Sequence, residues 1–192
     1  QTLALQRGLP AGDVAVDLEK PRNVAAGRAE LARYLKATDL LPTDGIVKST
    51  AMEITKGARN DVAKARAIYD WICDNTFRDP KTRGCGTGDI KYMLESRNLS
   101  GKCADLNALY VGLARAAGLP ARDVYGIRVA KSAHGYNSLG AGTENITKAQ
   151  HCRAEVFLTG YGWVPVDPAD VRKVVLEEPP GNLPLGDEKV TK

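Results

Sequence analysis

The sequence is poor in the residues on which chemistry is most often built. Among 192 residues there are two histidines, His134 and His151, and four cysteines, Cys73, Cys85, Cys103 and Cys152. No two cysteines form a C-x-x-C pair, which removes the zinc-ribbon and thioredoxin-like readings. Four cysteines in a chain of this length are too sparse for a disulfide scaffold, although one bridge stays open. No metal and no cofactor is expected. No apolar run reaches the roughly 18 residues of a membrane span. The net charge is +4, but the basic residues are dispersed and form no run that suggests a nucleic-acid groove. The chain begins at Gln1 without an n-region or h-region, so the expectation is that a targeting segment has been removed or that the chain has been trimmed.

What is present is enough for one folded domain. Hydrophobic residues are 43% and charged residues 26% of the chain, a balance that can bury a core. Val14, Val16 and Leu18 alternate with polar or small residues and suggest a short strand, and Leu31 to Leu35 suggests one or two helical turns. Thr43 or Asp44 can cap a helix running to about Lys56. Asn60 can cap a second, whose face is Val62, Ala65, Tyr69 and Ile72, ending before Pro80. A glycine-rich loop (Gly84, Gly86, Gly88) and a short helix around Tyr92 follow. The best helix opens near Cys103, carries Leu106, Leu109, Tyr110, Leu113 and Ala117 on one face, and closes at Gly118. From residue 122 the period becomes two, with strands at 124–129, 152–158 and 163–167, and another expected at 171–176. Residues 130–150 form a long polar connection, a feature that is usually functional or mobile. Helices first and antiparallel strands after define an α+β domain. The expected division is an N-terminal arm at 1–44, a catalytic domain at 45–178 and a loose polar tail at 179–192.

The run Gly84-Cys85-Gly86-Thr87-Gly88 looks like a phosphate loop, but a helix precedes it where a dinucleotide site needs a strand. Gly101-Lys102 is followed by Cys103, not Ser or Thr, so a Walker loop is rejected too. Cys103 stands apart because it lies in the first turn of the strongest helix. Unpaired N–H groups and the helix dipole there favour a thiolate. His151 opens a strand that turns near Thr159-Gly160 and returns to Asp167. A hairpin loop at Leu158-Thr159-Gly160 would place His151 directly opposite Asp167, with Cβ atoms about 4.5–5.5 Å apart. A turn centred on Tyr161-Gly162 would instead set His151 against Val171. Rivals for the roles are Cys85 as nucleophile or second thiol near the cleft, His134 as base and Asp170 as orienter.

Three segments together resemble the transglutaminase-like superfamily, bacterial members most of all. They are Gly101-Lys102-Cys103-Ala104-Asp105 with its helix, His151-Cys152-Arg153-Ala154-Glu155-Val156 and Gly162-Trp163-Val164-Pro165-Val166-Asp167-Pro168. Ala67-Ile68-Tyr69-Asp70-Trp71-Ile72 resembles the preceding helix, and the likeness spans roughly residues 45–175. The resemblance implies a papain-like core with a Cys103–His151–Asp167 triad, and a bacterial protein, cytoplasmic or extracytoplasmic. The expected activity is cysteine-dependent acyl transfer on a peptide or protein substrate, chiefly hydrolysis of peptide or isopeptide amides. Transglutaminase activity and a non-catalytic binding module are the alternatives. The Cys103 N–H is a natural oxyanion donor, with Asn75 or Trp71 as a side-chain candidate. Arg153 stands where many members carry Trp; as a cation on the His151 face it is expected to bind a substrate carboxylate and repel an amine.

Overall fold

A computed structural model describes residues 27–147 and 149–191; the strand expected at Val14 to Leu18 lies outside them. In chain order the elements are α1 (Arg28–Ala32), a 3-10 turn (Arg33–Leu35), α2 (Gly45–Ile54), α3 (Asp61–Asn75), β1 (Phe77–Arg78), α4 (Ile90–Ser96), β2 (Ser100–Gly101), α5 (Cys103–Ala116), β3 (Ala121–Ile127), β4 (Gln150–Leu158), β5 (Gly162–Val166), α6 (Pro168–Glu177) and α7 (Glu188–Thr191).

The caps start the helices where the residue types demand. Asn60 accepts from the Ala63 N–H at 2.8 Å and opens α3. Gly118 takes φ of +87° just beyond α5, a left-handed position that stops the helix. The reading of α5 as a one-faced helix needs correction. Every residue in it except Arg115 is buried, because α2, α3 and α6 surround it on the sides the sheet leaves open. Gly112 permits that crowding, since a Cβ there would sit 2.0 Å from Ile90 Cδ1.

β3, β4 and β5 form an antiparallel meander with β4 in the centre, packed on α5. Ala154, Val156 and Leu158 of β4 join Leu109 and Leu113 of α5 in the main core. The opposite sheet face is closed by a polar cluster. Glu155, only 1% exposed, meets Arg122 at 2.7 Å, and Arg122 lies 4.1 Å over the Trp163 ring. Tyr34 packs edge-on against Trp163 at 4.7 Å, which ties the Arg33–Leu35 turn to the sheet. β1 and β2 form a parallel pair that the sequence pattern did not suggest.

Three expectations are revised. Residues 171–176 are helical, inside α6, not a strand. Asp167 caps that helix by accepting from the Asp170 N–H, and Pro168 occupies its first turn, so the start signal outweighs the β-branched run. The β4–β5 hairpin pairs Phe157 with Trp163 and Leu158 with Gly162, a register two residues from the expected one. Its loop is Thr159-Gly160-Tyr161, with both Gly160 and Gly162 at positive φ. Finally, residues 179–191 are not a loose tail. Glu178 accepts from Ser138 Oγ at 2.6 Å and from the Ser138 N–H at 2.8 Å, Leu183 is buried, and Tyr136 donates to the Lys189 carbonyl. The same contacts pin part of the long 130–150 connection.

Candidate active site

The site is assembled around the first turn of α5. Lys102 precedes it in extended backbone, and Asp105, its third residue, reaches back to accept the Lys102 N–H at 3.0 Å. The same carboxylate accepts the N–H groups of Thr87 and Gly88, each at 2.9 Å. The glycine loop is thus wrapped around an anion supplied by the protein itself. A Cβ at Gly86 or Gly101 would lie 1.9 or 2.4 Å from Asp105 Oδ2, so neither position has room for a side chain. The loop closes with the Ala104 N–H donating to the Cys85 carbonyl at 2.9 Å.

This arrangement sets Cys103 at the helix N-terminus, 7% exposed, against β4. Its sulfur is hydrogen-bonded by Cys152 and by His151. Those bonds and the His151 charge outweigh burial and bring the Cys103 thiol down to about 3. The neighbouring thiols move the other way: Cys152 is raised by its bond to the Cys103 sulfur and by burial, and Cys85 by burial and the adjacent Cys103. Among these three thiols, only Cys103 is a thiolate at neutral pH.

His151 Nε2 lies 2.6 Å from Asp167 Oδ2. Although the register differs by two residues, side chains alternate with a period of two, so His151 and Asp167 keep the same face and meet diagonally. Burial pushes the imidazole down, but the Asp167 charge and hydrogen bond, the Cys103 bond and Asp170 together carry it up to about 10. Burial likewise pushes Asp167 up, and His151 and the Asn107 amide more than reverse that, holding the carboxyl below its ordinary range. The resting state is a thiolate–imidazolium pair with a carboxylate behind it.

Asp170 is 3.7 Å from His151 Nε2, the more distant of the two carboxylates, and is engaged by Arg128 Nη2 at 2.5 Å. His134 is exposed, and Cys85 lines the cleft next to Cys103. Asn75 and Trp71 are absent from the cleft lining; the Asn75 amide donates to the Trp71 carbonyl of its own helix at 2.8 Å. Arg153 pairs with Val124 across β3–β4 and does not line the cleft either. The cations that do line it are Arg78, Lys102, Arg128 and Lys173. Among the described residues the ligand atoms of His151, Asp167 and Asp170 lie within 4.8 Å of one another. Arg128 and the His151 cation already supply the positive charge those carboxylates need.

Two positioning residues carried no signal in the apolar pattern. Asn107, fully buried one turn after Cys103, donates to the Cys152 carbonyl at 2.7 Å and to Asp167 Oδ1 at 3.1 Å. It links α5, β4 and the start of α6. Asp105 is the other; its spacing three residues after the helix cap was the available clue.

A model of the transglutaminase-like superfamily matches residues 48–168, and the chain belongs to that superfamily. An uncharacterized protein of Haemophilus influenzae is 46% identical over 157 residues, covering 78% of this chain and 42% of that protein. Among solved structures, a protein from Cytophaga hutchinsonii provisionally described as a cysteine protease aligns with TM-score 0.60 at 19% identity, over 80% of this chain and 47% of that one. The periplasmic domain of TgpA from Pseudomonas aeruginosa aligns with TM-score 0.58 at 22% identity, over 79% and 50%. At these identities the likeness is one of fold. The chain spans half or less of the length of each of these three relatives.

Proposed function

We propose that the chain is a cysteine-dependent acyl-transfer enzyme that hydrolyses peptide or isopeptide amides through a thioester on Cys103. The observation that carries this reading is the hydrogen-bonded line from Cys103 through His151 to Asp167. The thiolate attacks the amide carbonyl carbon. The oxyanion is met by the Cys103 N–H, which at the first helical position has no intrahelical acceptor. The C–N bond breaks as His151 gives its proton to the leaving amine, which departs and leaves the thioester. Water then attacks the thioester, His151 takes a proton from it, and the free acid leaves with the thiolate restored. Asp167 holds the imidazole in orientation and stabilises its charge, and Asn107 holds Asp167.

Hydrolysis is favoured over transfer to an amine because four cations line the cleft and repel an ammonium. The test incubates the protein with amide- and Gln-containing peptides plus cadaverine. Free acid is the expected product, lost in Cys103→Ala. Predominant amine incorporation at low cadaverine would establish the transglutaminase alternative. An unreactive Cys103 with no turnover would establish a binding module.

A further inference from the structure

The charges around the cleft do not balance locally. Arg78, Lys102, Arg128 and Lys173 line a space of about 120 Å³, and Asp170 is the one carboxylate among its lining residues. Arg128 commits Nη2 to Asp170, and Arg78 commits Nε to Glu177 at 2.8 Å, which leaves donors on each guanidinium. Lys173 Nζ is 3.7 Å from Glu177 Oε2, too far for a hydrogen bond, and Glu177 is already held by Arg78. Lys102 forms no ion pair among the described residues.

We infer that the cleft beside Cys103 carries a subsite for a substrate carboxylate, formed by Lys173 and Lys102 with the free donors of Arg78 and Arg128. This deepens the function proposed above and rests on Cys103 being the nucleophile. Half-buried ammonium groups without close partners have lost water and gained little in return. An incoming carboxylate restores charge-assisted hydrogen bonds and matches the planar fork of an arginine. The local field agrees. Lys173 is held below the ordinary lysine value by burial, opposed by Glu177 and Asp170 but reinforced by repulsion from Arg78 and Arg128. A neutral or cationic group placed there meets the same field without that gain. The carboxylate comes either from a chain end or from an Asp or Glu side chain next to the scissile amide.

The test alkylates Cys103 with iodoacetate and with iodoacetamide, probes of the same reaction that differ in charge, and reads the ratio of the two rates. In the unmodified protein iodoacetate is expected to react about tenfold faster at low ionic strength, a ratio that salt near 1 M reduces. Lys173→Gln should lower the ratio about threefold and Lys173→Glu further. His151 contributes to the ratio in every variant, so the change between variants isolates the lysine. A ratio of one or below in the unmodified protein overturns the subsite, and so does a ratio that salt and both substitutions leave unchanged. A second arm compares peptides with a free or amidated C-terminus, and with Glu or Gln beside the scissile bond. Preference for the free end assigns a chain-end carboxylate, and preference for Glu assigns a side chain. Equal cleavage of neutral and acidic peptides overturns the subsite. Absence of all cleavage overturns the hydrolase reading alone, because the labelling ratio needs no turnover.

Discussion

The two halves of α5 both lie in the protein interior and do opposite work. Its second half is hydrocarbon: Leu109, Val111, Leu113 and Ala114 are fully buried in the main core. Its first turns hold Cys103, Asp105 and Asn107, which are nearly as inaccessible but polar. Apolar groups gain from burial wherever they are packed, whereas polar groups lose unless specific partners meet them. Here the partners come from the 84–88 loop, β4 and the start of α6. The hydrocarbon end therefore decides whether the protein folds, and the polar end decides whether three distant segments arrive in register around one sulfur.

Substitutions at the polar end should break activity before stability. Cys103→Ala is expected to remove turnover, by about 10⁵-fold or more, because no other group supplies the bond to the acyl carbon. His151→Ala should follow closely. Asp167→Asn should cost less, about 10²–10⁴-fold, since it orients and stabilises without transferring atoms. Rates of peptide hydrolysis in the three folded variants check the ranking, and equal residual activity would break it.

The pH dependence sharpens the same end. With Cys103 at about 3 and His151 at about 10, the ion pair persists between them, so Cys103 alkylation should stay flat from mildly acidic to mildly alkaline pH. An ordinary thiol would gain about tenfold per pH unit up to about 8.5. The two groups act on stability with opposite signs. The raised histidine contributes most below about 6.5, and that contribution is lost as pH rises through about 10. The depressed thiol contributes most above about 8.5, and that is lost as pH falls through about 3. His151→Ala should restore a pH-dependent labelling rate; a flat profile in that variant would separate the thiolate from the histidine.

The hydrocarbon end predicts the reverse pattern. Leu109→Ala should cost about 2–5 kcal/mol in urea unfolding, while turnover per folded molecule changes only a few-fold. Asp105→Asn lies between the two ends. It weakens three backbone N–H bonds at once, so about 1–3 kcal/mol is expected, together with a clear loss of kcat/KM as the glycine loop loosens against Cys103. If Asp105→Asn affects stability alone, the loop does not position the nucleophile.

Much of this contrast was legible in the sequence, and the exceptions have physical causes. The apolar period of α5, the Gly118 stop and the order Cys103, His151, Asp167 are local or ordinal signals. The hairpin register was not legible, because Gly160 and Gly162 both take positive φ and either could have set the turn. The error spanned two residues, so facing survived and His151 still meets Asp167. Residues 171–176 read as a strand because Val171, Val174 and Val175 are β-branched, yet the Asp167-Pro168 start prevailed. Asn107 was invisible since one polar residue inside an apolar period has no pattern of its own. The cleft cations come from four separated segments, and only the fold collects them. Arg153 lies outside the cleft lining, and the positive charge expected of it is carried there by Arg78, Lys102, Arg128 and Lys173.

The smallest expected effect lies at the end of α3, where the sequence had suggested an oxyanion donor. Asn75 is exposed in the last turn, and its amide is spent on the Trp71 carbonyl four residues back. Trp71 lies just before the last four carbonyls of α3, so the bond is a local contact along the end of its own helix. Asn75 does not line the cleft beside Cys103, so the amide's second N–H has no tetrahedral intermediate to meet. Removing a true oxyanion donor costs about 10²–10³ in kcat. Asn75→Ala should instead change kcat less than about twofold and stability by about 0.5 kcal/mol, as at an ordinary surface site. Steady-state kinetics on one amide substrate decides it. A loss above about tenfold in kcat at unchanged KM would return Asn75 to the reacting centre and extend the polar end of α5 across to α3.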